Sequence, residues 1–392
     1  MDGTLTGARG TARLIPRTLV VTGHFPPEDG GVQTFTWELV RRLPADRLLV
    51  VAPCWPGDAA FDAGLPFPTV RRHGYLLFRG LRRLVREHAL TAGWITAAAP
   101  FGLYAPLVRA AGVGRLVASS HGQELGWARA LPTRLAMRAV AGRVDTLTCL
   151  NRTTRAELGA AVGRGTRLAT LAGGVDAERF APHVSGEPAR RRYGLGGGPV
   201  VVSVARLVRR KGHDLLLRAW ADVLAARPDA RLLIVGDGPM RGPLAEAAAR
   251  EFPGSVRIAG PVPAADLPGC YAAADVFVLP CRDDRRGLQT EGLGLTTLEA
   301  SASGLPVVVG RSGGSAESLL DRRTGLLVDA SRPDAIASAL LELLADPVRA
   351  RAMGAAGRRW VLDTWTWDRA AERLAALLRG EPAPDPMIEP WG

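Results

Sequence analysis

The sequence predicts an α/β protein made of two doubly wound parallel-sheet domains, and three observations carry that prediction. Short apolar runs recur along the chain, each followed by a helical pattern. The series starts twice, at residues 18–22 (TLVVT) and again at 199–205 (PVVVSVA). Between the two starts, residues 176–198 read as a linker, with Pro182, Pro188, arginines at 190–192 and four glycines from Gly194 to Gly198. Strands of a parallel sheet are covered by helices on both faces, so they read as continuous apolar runs rather than as alternation.

In the first half, strands are expected at 18–22, 48–52, 93–97, 115–119 and 146–150. Val32, Phe35, Leu39 and Leu43 have the spacing of a helix. In the second half a helix over 212–227 follows the first strand, and further strands are expected at 231–235, 256–259, 276–279, 307–309 and 325–328. The resulting division is 18–183, 184–363 and a C-terminal helix at 364–379 that packs back toward the first domain. Residues 1–17 and 380–392 read as a lead-in and a tail without regular structure. Residues 89–108 carry no formal charge, but Pro100 and Pro106 interrupt them, so they read as a strand and a loop rather than a membrane span.

Composition excludes several classes. With 47% apolar and 22% charged residues over 392 positions, the chain can bury more than one core. Its four cysteines form no C-x-x-C pair, which excludes a disulfide framework and a cysteine zinc site and suits a reducing cytoplasm. Aromatic residues are 6% and no nucleic-acid module is visible, so a nucleic-acid partner is not expected. A dinucleotide oxidoreductase is disfavoured because Arg241 stands where a G-x-G-x-x-G fingerprint starting at Gly236 needs a small residue.

Charge is unevenly spread. Residues 1–183 hold 23 arginines against 13 acidic residues, while residues 184–392 hold 27 basic against 25 acidic. The first half therefore attracts anions. Of the 50 basic residues, Lys211 alone is lysine. An ammonium is a compact point charge and a guanidinium a wide planar fork, so the position that kept lysine is a candidate for a role arginine cannot fill.

Four constellations carry the chemistry. Arg206 stands at a strand end and Lys211 at the entry to the following helix, a placement suited to a phosphate or diphosphate. Glu291-Gly292-Leu293-Gly294-Leu295 leads into a helix that carries Glu299; the glycines allow close backbone approach, and the two carboxylates can accept from sugar and ribose hydroxyls. Gly30-Gly31 opens the first helix. Residues 119–124 (SSHGQE) place His121 and a carboxylate at another strand end.

Together with Gly173-Gly174-Val175-Asp176, residues 235–239 (VGDGP) and Gly325-Leu326, these motifs resemble the retaining glycosyltransferases of the GT-B architecture with an E-x7-E motif. Residues 120–127 (SHGQELGW) and 280–294 are similar to actinobacterial mannosyltransferases acting on phosphatidylinositol monomannoside. The chain has Gln123 where those enzymes carry a second histidine, and Ser315-Ala316-Glu317-Ser318 where they carry Ala-Pro-Glu-Thr. The resemblance implies two Rossmann-like domains facing across a cleft, with acceptor binding in the first and nucleotide-sugar binding in the second. It implies a donor such as GDP-mannose, with Arg206 and Lys211 on the diphosphate, Glu299 on the ribose and Val262 bordering the base. Glu291 and the backbone of Gly292, Leu293, Gly294 and Leu295 would hold the sugar, and His121 would lie over it.

No Asp-x-Asp occurs, and Asp283-Asp284 read as solvated, so no metal or other cofactor is expected and the cations must come from the protein. In residues 76–88, Leu77, Leu81, Leu84 and Val85 share one helical face while Arg79, Arg82, Arg83 and Arg86 take the other. That pattern fits either a helix docked on the sheet or one lying on an anionic membrane. The resemblance favours a glycophospholipid acceptor and a cytoplasmic enzyme peripheral at the inner face of the plasma membrane. The rival expectation is a soluble small-molecule acceptor. The sequence does not determine oligomeric state.

Overall fold

The computed structural model describes residues 15–383, apart from 123, 130, 164 and 285–290. Gln123 and the Gly287-Leu288 part of the 280–294 motif therefore lie outside the described residues, as do positions 1–14 and 384–392. The chain divides into two units: everything up to Gly173 together with Trp367 onward, and Gly174–Thr366.

The first unit holds a seven-stranded parallel sheet of β1 (Thr18–Val21), β2 (Leu48–Pro53), β3 (Thr69–Arg72), β4 (Ala92–Ile95), β5 (Arg115–Ser119), β6 (Thr146–Cys149) and β7 (Leu168–Thr170), in the order β3-β2-β1-β4-β5-β6-β7. Val20 pairs with Val50 on one side and Trp94 on the other. Successive side chains point to opposite faces. Leu19 and Val21 join Leu49, Val51, Ile95 and Leu116 in one core, while Val20 joins Val50, Trp94 and Val117 in a second. The strand order reverses direction between β1 and β4, and such switch points are where open α/β sheets leave a crevice at the carboxyl ends.

The edge strands β3 and β7 escaped the sequence reading. Both are short and only partly buried, and β3 ends in Arg71 and Arg72, so neither shows the apolar run of an inner strand. The lead-in and tail also differ from expectation. Ile15 is buried in the second core and Ala383 packs against it, because both lie beside the C-terminal helix.

That helix spans Trp367–Arg379 and belongs to the first unit. Leu374 and Leu377 are fully buried beside Phe35 and Leu39 of the helix Gly31–Val40. Arg115 Nε donates to the Leu377 carbonyl at 2.9 Å, and Arg42 Nε to Asp368 at the same distance.

The second unit holds a six-stranded parallel sheet of β8 (Val200–Val204), β9 (Arg231–Val235), β10 (Val256–Gly260), β11 (Val276–Leu279), β12 (Val307–Gly310) and β13 (Gly325–Val328), ordered β10-β9-β8-β11-β12-β13. Its switch point lies between β8 and β11. The division falls at Gly173/Gly174 rather than at 183/184, because the intervening segment is bonded into the second unit. Val175 bridges Thr366, Phe180 packs edge-on against Tyr271, and Arg358 donates to the carbonyls of Ala177 and Phe180. The stretch 358–378 is two helices, Pro347–Thr364 and Trp367–Arg379, which fall in different units.

Removing the side chain of Leu374 should leave a cavity in the first unit costing about 2–5 kcal/mol. Amide exchange in Leu374→Ala should accelerate at β1 and β4 and stay unchanged at β8 and β11; equal acceleration in both sheets would refute the helix's assignment to the first unit.

Candidate functional site

The densest polar constellation forms in the second unit, where β8 and β11 end. Past β8 the chain runs outward, pinned by the Leu207 amide on the Asp237 carbonyl at 2.8 Å, then turns back through the short 3₁₀ segment Arg209–Lys211. The return requires Gly212. Its φ is +73°, and a Cβ there would lie 1.9 Å from the Pro280 carbonyl oxygen. This close approach sets the loop against the end of β11 and carries Lys211 inward, where it is only 8% exposed.

Lys211 Nζ lies 2.6 Å from Glu291 Oε2. Arg210 Nη1 reaches the same oxygen at 2.6 Å, and the Cys281 thiol reaches it at 3.5 Å. Three donors therefore converge on one carboxylate oxygen. Burial pushes the Glu291 carboxyl up, but Lys211 and Arg210 beside it outweigh burial and hold it below the ordinary range. Burial, reinforced by the neighbouring carboxylate, pushes the Cys281 thiol up, so it stays a neutral donor. The backbone is fixed as well. The Glu291 amide donates to Ser312 Oγ at 3.2 Å, and its carbonyl accepts from the Gly314 amide at 2.9 Å. Ser312 Oγ donates to Asp283 at 2.7 Å, and Arg209 faces Asp284 at 3.8 Å, so these two aspartates are tied to the site's own loops rather than simply solvated.

Glu299 has a different environment. Gly294, at φ +83°, caps the helix Leu295–Ala302 and Glu299 lies within it. Its Oε2 accepts from the Tyr271 hydroxyl at 2.6 Å, and Tyr271 is fully buried. Burial pushes the Glu299 carboxyl up to about 7, with Tyr271 and Arg179 pulling the other way. The two glutamates of the motif thus differ in protonation: Glu291 is an ion among cations, and Glu299 titrates near neutrality.

The remaining expected positions are distributed as follows. Arg206 is exposed directly after β8, so the structure brings Lys211, but not Arg206, onto Glu291. Leu293 is buried, Gly292 and Val262 are half-buried, and Leu295 is 40% exposed. In the first unit, His121 Nε2 lies 2.6 Å from the Thr96 carbonyl. A carbonyl only accepts, so Nε2 carries the proton and Nδ1 is the ring's other site. Burial lowers the His121 pKa more than Glu124 and Thr96 raise it, so the ring is neutral. Glu124 is the anchor of this loop, accepting from the His121 amide at 2.9 Å and from Ser120 Oγ at 3.0 Å. At Gly31 a Cβ would meet nothing within 4 Å, so the fold itself leaves open space there.

Arg79, Arg82, Arg83 and Arg86 are exposed, while Leu77, Leu81 and Val85 are buried in the core. The helix Leu81–Glu87 is thus docked on the sheet, and its apolar face is not available to a membrane. No helix among the described residues is long and apolar enough to cross one. Sequence reasoning missed Arg210, Cys281 and Tyr271. Arg210 stands in a run of basic residues that reads as solvated, and the other two acquire meaning only from partners ten or more positions away.

The proton held by Glu299 has a measurable consequence. A carboxyl raised from 4.5 to about 7 on folding binds its proton more tightly in the folded state, so its contribution falls as pH rises through that window. The full difference is about 3 kcal/mol. Glu299→Gln should therefore unfold less readily than the parent at pH 8 and lose that advantage at pH 4.5. A parent-to-variant difference independent of pH would contradict the assignment.

Comparison with known proteins places this geometry. Residues 29–179 match the Glycosyltransferase Family 4 profile, and residues 187–360 match Glycosyl transferases group 1. The chain is 44% identical over 384 residues to a GDP-mannose-dependent alpha-(1-6)-phosphatidylinositol monomannoside mannosyltransferase of Mycolicibacterium smegmatis, covering 92% of this chain and 98% of that protein. It is 36% identical to a GDP-mannose-dependent monoacylated alpha-(1-6)-phosphatidylinositol monomannoside mannosyltransferase of Corynebacterium glutamicum, covering 93% and 98%. Among solved structures, Anabaena Alr3699/HepE in complex with UDP superposes with a TM-score of 0.78 at 17% identity, covering 93% of this chain and 99% of that one. Sucrose-phosphate synthase from Thermosynechococcus elongatus does so at 0.67 and 21%, covering 93% and 98%. With two parallel-sheet units of this topology and full-length likeness to those relatives, the chain belongs to the GT-B glycosyltransferase family that includes the mycobacterial and corynebacterial phosphatidylinositol mannoside mannosyltransferases.

Proposed function

We propose that this enzyme is a retaining mannosyltransferase that moves mannose from GDP-mannose to a phosphatidylinositol mannoside. The observation that carries the reading is the convergence of Lys211 and Arg210 on buried Glu291 at the switch point of the second sheet. The names and full-length coverage of the relatives support donor and acceptor.

The chemistry follows from charge. Breaking the bond between sugar and phosphate leaves a nucleoside diphosphate with growing negative charge. An ammonium has three donors, so Lys211 can keep one on Glu291 and turn others to a phosphate oxygen. Arg206, exposed beside the end of β8, would meet the diphosphate once it arrives. We assign the neutralisation to these protein cations and to helix N-termini, with no divalent ion. Glu291 has its Oε2 taken by three donors, which leaves Oε1 for sugar hydroxyls. Glu299 would accept from the ribose diol, Val262 would border the base, and Gly292 to Leu295 would offer backbone amides to the sugar. Gly30 and Gly31 would give the donor close backbone access in the first unit. His121, neutral with Nε2 committed to Thr96, would lie over the sugar and accept a hydrogen bond at Nδ1 rather than donate one.

On the acceptor side, Arg79, Arg82, Arg83 and Arg86 would meet an anionic membrane surface at the cytoplasmic face. Because the apolar side of the helix Leu81–Glu87 is buried, as is Leu77 before it, this contribution is electrostatic and screened by salt.

The direct test is turnover of purified enzyme with a panel of nucleotide sugars and with phosphatidylinositol monomannoside as acceptor, in the presence of a chelator. GDP-mannose should be the preferred donor and chelation should leave the rate intact. Loss of one such preorganised cation typically costs ~10²–10³ in rate, so Lys211→Ala should fall by at least 100-fold. Lys211→Arg should also be impaired, since a guanidinium overfills a point-charge site. Near-normal turnover of folded Lys211→Ala would sink the diphosphate assignment.

A further inference from the structure

The hydroxyl of Tyr271 sits in an otherwise apolar setting. Its ring is fully buried, edge-on to Phe180 at 5.6 Å and tilted against Phe277 at 5.9 Å. A phenylalanine would fill the same ring positions, so packing alone does not account for the oxygen. That oxygen donates to Glu299 Oε2 at 2.6 Å. The backbone of Glu299 is already fixed. It lies inside the helix Leu295–Ala302, and its carbonyl accepts from the Ser303 amide at 2.9 Å and from Ser303 Oγ at 3.0 Å. The side chain still turns about several bonds, and Tyr271 takes hold of its far end. Glu299 is half-buried, and its Oε1 makes no hydrogen bond among the described residues.

Tyr271 also belongs to the stretch that follows Val262. The 3₁₀ segment Ala264–Asp266 runs directly into the helix Leu267–Ala272 that carries Tyr271. Arg179 Nη2 donates to the Ala264 carbonyl, and its guanidinium lies 5.0 Å from the centre of the Phe180 ring that backs Tyr271. Against the burial that pushes the Glu299 carboxyl up, Tyr271 and Arg179 both pull it down. One short stretch of chain thus links the loop expected at the base to the carboxylate expected at the ribose. We propose that Tyr271 is a positioning residue for the nucleotide: by holding Oε2 of Glu299, it fixes Oε1 as the acceptor for the ribose diol. This rests on the reading of Glu299 as the ribose partner. Fixing a carboxylate before the ligand arrives removes an ordering cost that binding would otherwise bear. The diol is remote from the bond that breaks, so the benefit falls equally on bound substrate and transition state and belongs to KM rather than kcat.

Calorimetric binding of GDP and of 2′,3′-dideoxy-GDP, which lacks the diol, tests this without turnover at pH 8, above the window in which Glu299 titrates. The full-length parent should bind GDP at least about tenfold more tightly than the dideoxy compound. Tyr271→Phe, with melting temperature confirming the fold, should lose about tenfold on GDP and less than about twofold on dideoxy-GDP, so the two affinities converge. A residue that only supports packing would weaken both ligands alike, and that result would overturn the proposal. Unchanged GDP affinity in folded Tyr271→Phe would do so too. Glu299→Gln supplies a second background that leaves no carboxylate without its donor, whether or not Tyr271→Phe folds alone. Adding Tyr271→Phe there should change either affinity by less than about twofold. A larger change would mean that Tyr271 acts by a route other than Glu299, and would refute its role. In turnover with GDP-mannose, Tyr271→Phe should raise KM about tenfold and leave kcat within about twofold; a fall in kcat alone would contradict the proposal. If the parent binds both nucleotides equally, the ribose role of Glu299 falls and this inference with it, while the transferase and diphosphate assignments stand. Failure of the parent to bind GDP at all would remove the donor reading as well.

Discussion

One carboxylate oxygen organises the second unit. Glu291 Oε2 takes an ammonium, a guanidinium and a thiol, all within 3.5 Å. Burying the Lys211 ammonium alone would carry a heavy desolvation penalty. Burying Glu291 alone would do the same. Each makes the other's charge tolerable, and Arg210 adds a second cation to a single anion. Asp283 and Asp284 lie on the same loops, held by Ser312 and Arg209. Gly212 is what permits the cluster, since any side chain there would push the loop off Pro280 and Lys211 away from Glu291.

The contrast with Glu299 shows how far environment overrides residue type. Both are glutamates of one short segment, and both are deeply enclosed. Two cations keep Glu291 ionised, whereas a neutral hydroxyl from Tyr271 leaves Glu299 near its titration point. A charged partner compensates the loss of water and a single hydroxyl does so only in part. His121 follows the same logic in the first unit, held neutral by burial and oriented by a carbonyl.

The two units divide the electrostatic work differently. In the second, charge is concentrated, paired and buried around one site. In the first, the arginine excess stays at the surface, and the helix Leu81–Glu87, which carries Arg82, Arg83 and Arg86, spends its apolar residues on the core. That arrangement leaves Arg79, Arg82, Arg83 and Arg86 outward-facing.

Fold class, the inner strands and the glutamate-bearing segment were legible from residue order, because local periodicity and glycine placement are properties of adjacent positions. Lys211 stood out by composition alone, as the single lysine among 50 basic residues. The edge strands β3 and β7 were not legible, since their pairing partners rather than their own polarity make them strands. Nor was the point of division, because the segment after Gly173 looks like linker and is held by Thr366, Tyr271 and Arg358 from far along the chain. Arg210 and Tyr271 became site residues only through contacts spanning 81 and 28 positions. The sequence by itself determined which groups are present and which segments coil or extend. Tertiary structure alone decided which glutamate is an anion and which cation it faces, because burial and charge pairing arise between residues that only folding brings together.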